Sequence, residues 1–217
     1  MSNFVNIFRG CGRIFRKIPQ KKLVSAIELT TFSIIALTGT GLIIFAANVS
    51  AFKHRVKYLL VARECRDCNL SGANLSGVFL EGVNLEKANL THANLWSTNL
   101  FNANLKKANL AGVYLISSNL VGANMEGINL ETAWLEDAYL GGGKLKNANL
   151  KGAFMKGIFL VDAELEGANL EGANLWMANL ENANLKGANL RNALLLDTNL
   201  AGANLKGAVM PDGRRHE

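Results

Sequence analysis

Between Arg66 and Met210 the apolar residues keep a strict period of five. The stretch divides into 29 blocks, and the fifth residue is Leu in 26 of them and Met at 125, 155 and 210. An α-helix turns about 500° in five residues, a net ~140°, so these residues would wind round every side of it. A strand alternates faces at each residue, and five is odd, so successive Leu would point opposite ways. Neither element gives a buried stripe. A chain that turns a corner every five residues does, because each block then sends the same residue inward. The period predicts a solenoid.

The other block positions agree. The residue two before each Leu is mostly small, Ala at 73, 88, 93, 103, 108 and 123 and at many later positions, and larger at Val78, Val83, Val113, Ile128 and Ile158. One Leu and one small residue per block fill a narrow interior without voids. Fully burying a Leu is worth roughly 1.5–3 kcal/mol, and neighbouring coils share that gain because one coil has no core of its own. Asn precedes the central residue in 19 of the 29 blocks. Its amide can tie backbone groups at a corner, which is a structural role.

Blocks such as "GANLEGANLWMANLENANLKGANL" (167–190) resemble the pentapeptide-repeat family, and the resemblance covers about two thirds of the chain. The entry "YLLVARECRDCNLSGANL" and the exit "GAVMPDG" resemble the ends of cyanobacterial members. The resemblance implies an all-β solenoid, a right-handed quadrilateral β-helix with four blocks per coil. Twenty-nine blocks then make about 7 coils and, at a strand spacing of ~4.8 Å, a rod ~35 Å long.

Four blocks per coil makes residues 20 apart neighbours, and the departures from Asn obey this. Tyr114, Trp134 and Phe154 are successive, as are Tyr139 and Phe159. The side centred on Leu75, Leu95, Leu115, Leu135, Met155, Leu175 and Leu195 is expected to present Trp96, Tyr114, Ile116, Trp134, Phe154, Trp176, Leu194 and Leu196 outward, with all three tryptophans of the protein. The next side adds Phe79, Phe101, Val121, Tyr139, Phe159 and Val161. The two other sides carry Lys, Glu, Ser and Thr and read as solvated. The core does not need outward aromatics, and a contiguous exposed apolar patch marks an interface. These residues are the candidate partner-binding set.

The N-terminal third is different. Residues 29–52 form an uncharged apolar run, "LTTFSIIALTGTGLIIFAANVSAF". As a helix it reaches ~36 Å, enough to span a ~30 Å hydrocarbon core. It is longer than the h-region of a signal peptide, about 7–15 residues, and is expected to be an uncleaved single-pass anchor in the lipid bilayer. Before it, in residues 1–28, Phe4, Ile7, Phe8, Cys11, Ile14, Phe15 and Ile18 fall on one helical side and Arg9, Arg13, Arg16 and Lys17 largely on the other. That is the pattern of a basic amphipathic helix at an anionic membrane surface. Residues 53–65 make a basic stem, 66–210 the repeats and 211–217 a tail. Six Lys/Arg precede the run, and Lys53, Arg55, Lys57, Arg63 and Arg66 follow it. The positive-inside rule barely separates six from five. The six charges to be translocated favour a cytoplasmic N-terminus, with the repeats on the far side.

Charge and cysteine usage then narrow the function. The chain has a net charge of +6, but residues 1–65 carry +8 and residues 66–217 carry −2. The high pI belongs to the stem and its neighbours and is no sign of nucleic-acid binding. The near-neutral repeats, with Lys and Glu interspersed, also lack the dense negative charge of a topoisomerase-protecting DNA mimic, the function that the resemblance offers as the alternative. An odd count of three cysteines argues against a disulfide framework. Cys65 and Cys68 are the candidate pair for a metal or redox site, set against a role as small buried residues opening the first coil. His54, His92 and His216 are isolated, and no cofactor or catalytic pair is implied. "GGG" at 141–143 is expected to mark a loosened or close-contact coil, with a gap at Gly143. The reading is a non-enzymatic membrane-anchored scaffold or assembly factor whose rod docks a membrane protein complex or a second copy. The resemblance makes thylakoid or plasma membrane complexes of a cyanobacterium plausible partners.

Overall fold

The computed structural model describes Val56 and residues 59–217. The chain divides into two units, Met1–Arg55 and Val56–Glu217. The basic segment with Arg9, Arg13, Arg16 and Lys17 and the apolar run 29–52 lie outside the described residues. Among the described residues no helix is long and apolar enough to cross a membrane.

Each block folds alike. Its first two residues make a turn, and its third to fifth form one short side. The turn is closed by a backbone hydrogen bond from the third residue to the preceding Leu, as in Ala73 N to Leu70 O at 3.0 Å. The second residue has φ between 51° and 72° in every block from Asp67 to Gly207. Positive φ at that position alone defines a type II turn. Glycine fills it in 14 of the 29 blocks, and Asn, Asp, Ser, Lys, His, Thr or Met fill the rest.

Four turns bring the chain back over itself. Parallel bridges join residues 20 apart, from Glu64↔Asn84 to Asn189↔Val209. Each side of a coil is laced to the next by bonds such as Leu95 N to Tyr114 O at 2.8 Å and Tyr114 N to Ala93 O at 3.0 Å. The cross-section is therefore four-sided. Side I holds the column of Leu95, Leu115 and Leu135, side II that of Leu100, side III that of Leu105 and side IV that of Leu110. The turns between sides form four ridges.

Two inward positions on each side fill the interior. The central Leu and Met and the small third residues are buried along almost the whole rod. The polar exceptions on side II are satisfied, because Thr98 Oγ1 donates to Leu75 O (2.9 Å) and Ser118 Oγ to Leu95 O (2.6 Å). No gap opens at Gly143. A Cβ there would lie 3.1 Å from Met125 Cε, so the longer Met fills the room that glycine leaves. The close-contact expectation holds and the gap does not.

The ends differ. The first coil begins at Glu64 and Cys65, after a short helical stretch over 59–62 whose Leu59 is buried. Cys65 and Cys68 are also buried and form a disulfide. This corrects the reading from cysteine count. The pair stands at the first and fourth positions of a turn, with Cα atoms 5.3 Å apart, inside the range a disulfide spans. Count is no guide where a repeated turn sets the spacing. At the other end Leu195, Leu200, Leu205 and Met210 are only half-buried. The tail folds back on side IV alone, through an antiparallel bridge from Val209 to Arg215.

Candidate interaction surface

The parallel in-register coils place identical positions about 4.8 Å apart, so like side chains must stack. On side I, Tyr114 and Trp134 lie 6.0 Å apart between centroids, and Trp134 and Phe154 lie 4.5 Å apart, near parallel. On side II, Tyr139 and Phe159 stack at 4.9 Å with planes 5° apart. All five rings are substantially exposed. The two stacks flank one ridge.

That ridge carries Trp96, Ile116, Glu136, Lys156, Trp176 and Leu196. The turn geometry moves Trp96, Ile116, Trp176 and Leu196 from side I, where five-residue counting puts them, to the corner between sides I and II. Trp96 is 56 % exposed, whereas Ile116 and Trp176 are half-buried. Lys156 Nζ sits 4.2 Å from the centre of the Trp176 ring, and Trp176 Nε1 donates to Asp197 Oδ2 at 3.3 Å. Leu194 and Leu196 are exposed, as is Met177, which sequence reasoning missed. Its signal was a large apolar residue in a turn position that every other block fills with Gly or a polar residue. Phe101 is half-buried on the next ridge. Phe79 is 76 % exposed but is not continuous with Tyr139. Asn99 and Asn119 stand between them, joined by an amide hydrogen bond of 3.3 Å.

The opposite half is polar by construction. On side IV Asn occupies every coil from Asn69 to Asn189. Asn129 Nδ2 donates to Asn109 Oδ1, and Asn149 Nδ2 to Asn129 Oδ1, both at 3.0 Å. Each Asn oxygen also caps the following turn, as in Glu131 N to Asn129 Oδ1 at 3.2 Å. The ridge between sides III and IV alternates in sign. Arg66–Glu86 (2.8 Å), Lys106–Glu126, Lys146–Glu166 (3.2 Å) and Lys186–Glu166 (3.9 Å) pair along it. The hydrogen bond from Lys106, then its charge, holds the Glu126 carboxyl below the ordinary carboxylate range. The same bond and the Glu126 charge raise the Lys106 ammonium.

Charge is sorted by ridge. Over 66–210 the III/IV ridge has seven Lys/Arg against Asp67, Glu86, Glu126 and Glu166, a net of +3. The I/II ridge has Glu136, Asp137 and Asp197 against Lys156, and the II/III ridge has Glu81, Asp162 and Glu181 with no base. The aromatic half thus carries −5 within a repeat region that nets only −2.

Cys65 and Cys68 are bonded to each other and in that state offer no thiolates to a metal. No group of three or more His, Cys, Asp or Glu among the described residues could hold a metal ion.

A family model described as pentapeptide repeats matches residues 64–95, 97–131, 144–175 and 177–210. The chain belongs to the pentapeptide repeat family. Members fold as right-handed quadrilateral β-helices, which fixes the hand of the four-sided coil. Pentapeptide repeat proteins are in general non-enzymatic structural or interaction proteins, and no catalytic family is indicated. Similar solved structures include HetL of the cyanobacterium Nostoc sp. strain PCC 7120, a pentapeptide repeat protein involved in heterocyst differentiation regulation. It is 31 % identical over 70 % of this chain and 89 % of its own, with a TM-score of 0.27. Rfr23 of the cyanobacterium Cyanothece 51142 is 29 % identical over 73 % of this chain and 98 % of its own, with a TM-score of 0.32. A pentapeptide repeat protein from the Arabidopsis thaliana thylakoid lumen is 31 % identical over 49 % and 71 %, with a TM-score of 0.38. With superpositions this loose, the family assignment rests on the repeat match. No match appears among curated proteins.

Proposed function

We propose that this protein is a membrane-anchored, non-enzymatic scaffold that docks a protein of a membrane complex through sides I and II of its β-helix. The observation that carries this reading is the pair of exposed ring stacks, Tyr114–Trp134–Phe154 and Tyr139–Phe159. An outward position in this fold is filled well by Asn, and exposed stacked rings are what a partner can desolvate. The uncharged run 29–52 would supply the anchor and Arg9, Arg13, Arg16 and Lys17 a contact with anionic lipid. The buried Cys65–Cys68 disulfide suits a rod on the oxidising side of a membrane, where such bonds persist. That agrees with a cytoplasmic N-terminus. Thylakoid and plasma membrane are both compatible with it.

Site-specific photo-crosslinking in native membranes tests the docking surface. A benzophenone side chain at Trp134 or Phe159 is expected to give protein adducts, and one at Asn109 or Asn129 is expected to give none. Equal adducts from both halves would remove the reading. The half-buried Leu195, Leu200 and Leu205 of the last coil also favour a second copy as a partner at the rod's end. The mass of the detergent-solubilised protein decides between monomer and dimer.

A further inference from the structure

The chemistry of the partner follows from how charge is left on the aromatic half. On the III/IV ridge Glu86, Glu126 and Glu166 each find a base one coil away. Glu136, on the ridge between the two ring stacks, does not. Its neighbour one coil on is Lys156, and that ammonium lies over the Trp176 ring. Glu136 Oε2 is buried with no hydrogen-bond partner among the described residues. Glu136 as a whole is half-buried, so one oxygen lacks both water and a partner, and a cation or donor that reaches the carboxylate offsets that cost. The rings beside it turn most of their π-faces on one another, so only the end faces of each stack remain to attract a cation. Lys156 over Trp176 is an example of such a contact on this same ridge.

We propose that the segment docking here is basic, an arginine or lysine flanked by apolar residues, with the apolar residues along the exposed ring stacks and the cationic head paired with Glu136. This rests on the docking reading and names its partner's chemistry. The −5 charge of the aromatic half favours such a segment by charge complementarity. It also disfavours nucleic acid and anionic lipid, which carry charge of the same sign.

The test uses the full chain in zwitterionic nanodiscs. The probes are two 12-residue peptides that differ only in arginine against neutral citrulline, each spaced by leucine. All three tryptophans, Trp96, Trp134 and Trp176, lie on this half, so intrinsic fluorescence reports its occupancy. The arginine peptide is expected to bind about tenfold tighter than the citrulline peptide. Glu136→Gln should abolish most of that ratio, while Glu126→Gln on the opposite ridge should leave it. Equal affinity for both peptides, or equal effects of the two substitutions, overturns the proposal. So does strong quenching of the tryptophans by brominated lipid, which would mean that this half lies on the bilayer. If photo-adducts map to sides I and II but arginine and citrulline bind alike, the docking reading stands and only the basic-partner inference fails.

Discussion

Sides I and IV are built on the same coil and carry different outer columns. Side IV repeats Asn from Asn69 to Asn189. Each amide oxygen caps the next turn, and most of the amides also bond one another across coils. On side I the column is Asn at 74 and 94, then Tyr114, Trp134 and Phe154, then Asn174 and Leu194. Where Asn remains the cap remains, as in Trp96 N and Trp176 N to Asn94 and Asn174 Oδ1, both at 3.1 Å. Where a ring stands instead, that cap is given up for stacking. Yet the inward columns beneath are alike, and Leu130 and Leu135 are both fully buried. Outer identity is thus decoupled from the core. A side that forgoes a fold-supporting amide and exposes rings fits the proposed docking role.

The largest test of this decoupling is in the core. Leu130→Ala and Leu135→Ala should each cost about 2–5 kcal/mol, with similar values despite opposite outer surfaces. Urea unfolding measures both, and a large difference would tie core stability to the outer column. Next come the columns themselves. Asn129→Ala removes two amide bonds and a turn cap and should cost about 1–2 kcal/mol. Trp134→Asn loses stacking but regains a cap, so it should stay within about 1 kcal/mol of the parent while abolishing photo-adducts at Phe159. Smaller again is a turn that both sides share. Thr132 is β-branched at φ 54°, so Thr132→Gly should stabilise the rod by about 0.5–1 kcal/mol, visible as a raised unfolding midpoint.

The smallest effect is electrostatic. Glu126 has a lowered pKa in the fold, so its contribution is present above the ordinary carboxylate range and is lost as pH falls through the depressed value. Lys106 has a raised pKa, so its contribution is present below the ordinary lysine value and is lost as pH rises through the raised one. Both groups are solvent-facing and salt-screened. A shallow plateau of stability between these limits is expected, flattened further by salt. The same pH scan on Glu126→Gln should lose the acid-side slope.

Much of this was legible in the sequence because a repeat states its rule many times. The inward Leu and small residue follow from counting in fives, while the four-sided coil was implied by the family resemblance, with which the aromatic columns 20 residues apart agree. Three features needed coordinates. Placing Trp96 and Trp176 on a ridge requires knowing that the first two residues of a block form the turn. The recurrence of Gly, Asn and Asp at the second position was the available signal for it. The Cys65–Cys68 bond follows from that same turn, since it brings residues three apart within bonding reach. That Glu136 is unpaired could not be read at all, because Lys156 chooses between a carboxylate and a ring in three dimensions.

The central claim is that the rings serve a partner and not the fold. The most direct measurement combines Trp96→Glu, Trp134→Glu and Trp176→Glu in the tagged full chain. It compares co-isolated protein from mildly solubilised membranes with the unfolding midpoint of the same variant. The account predicts lost co-isolation with a midpoint within a few degrees of the parent. Every association intact, with the rod folded, would contradict it.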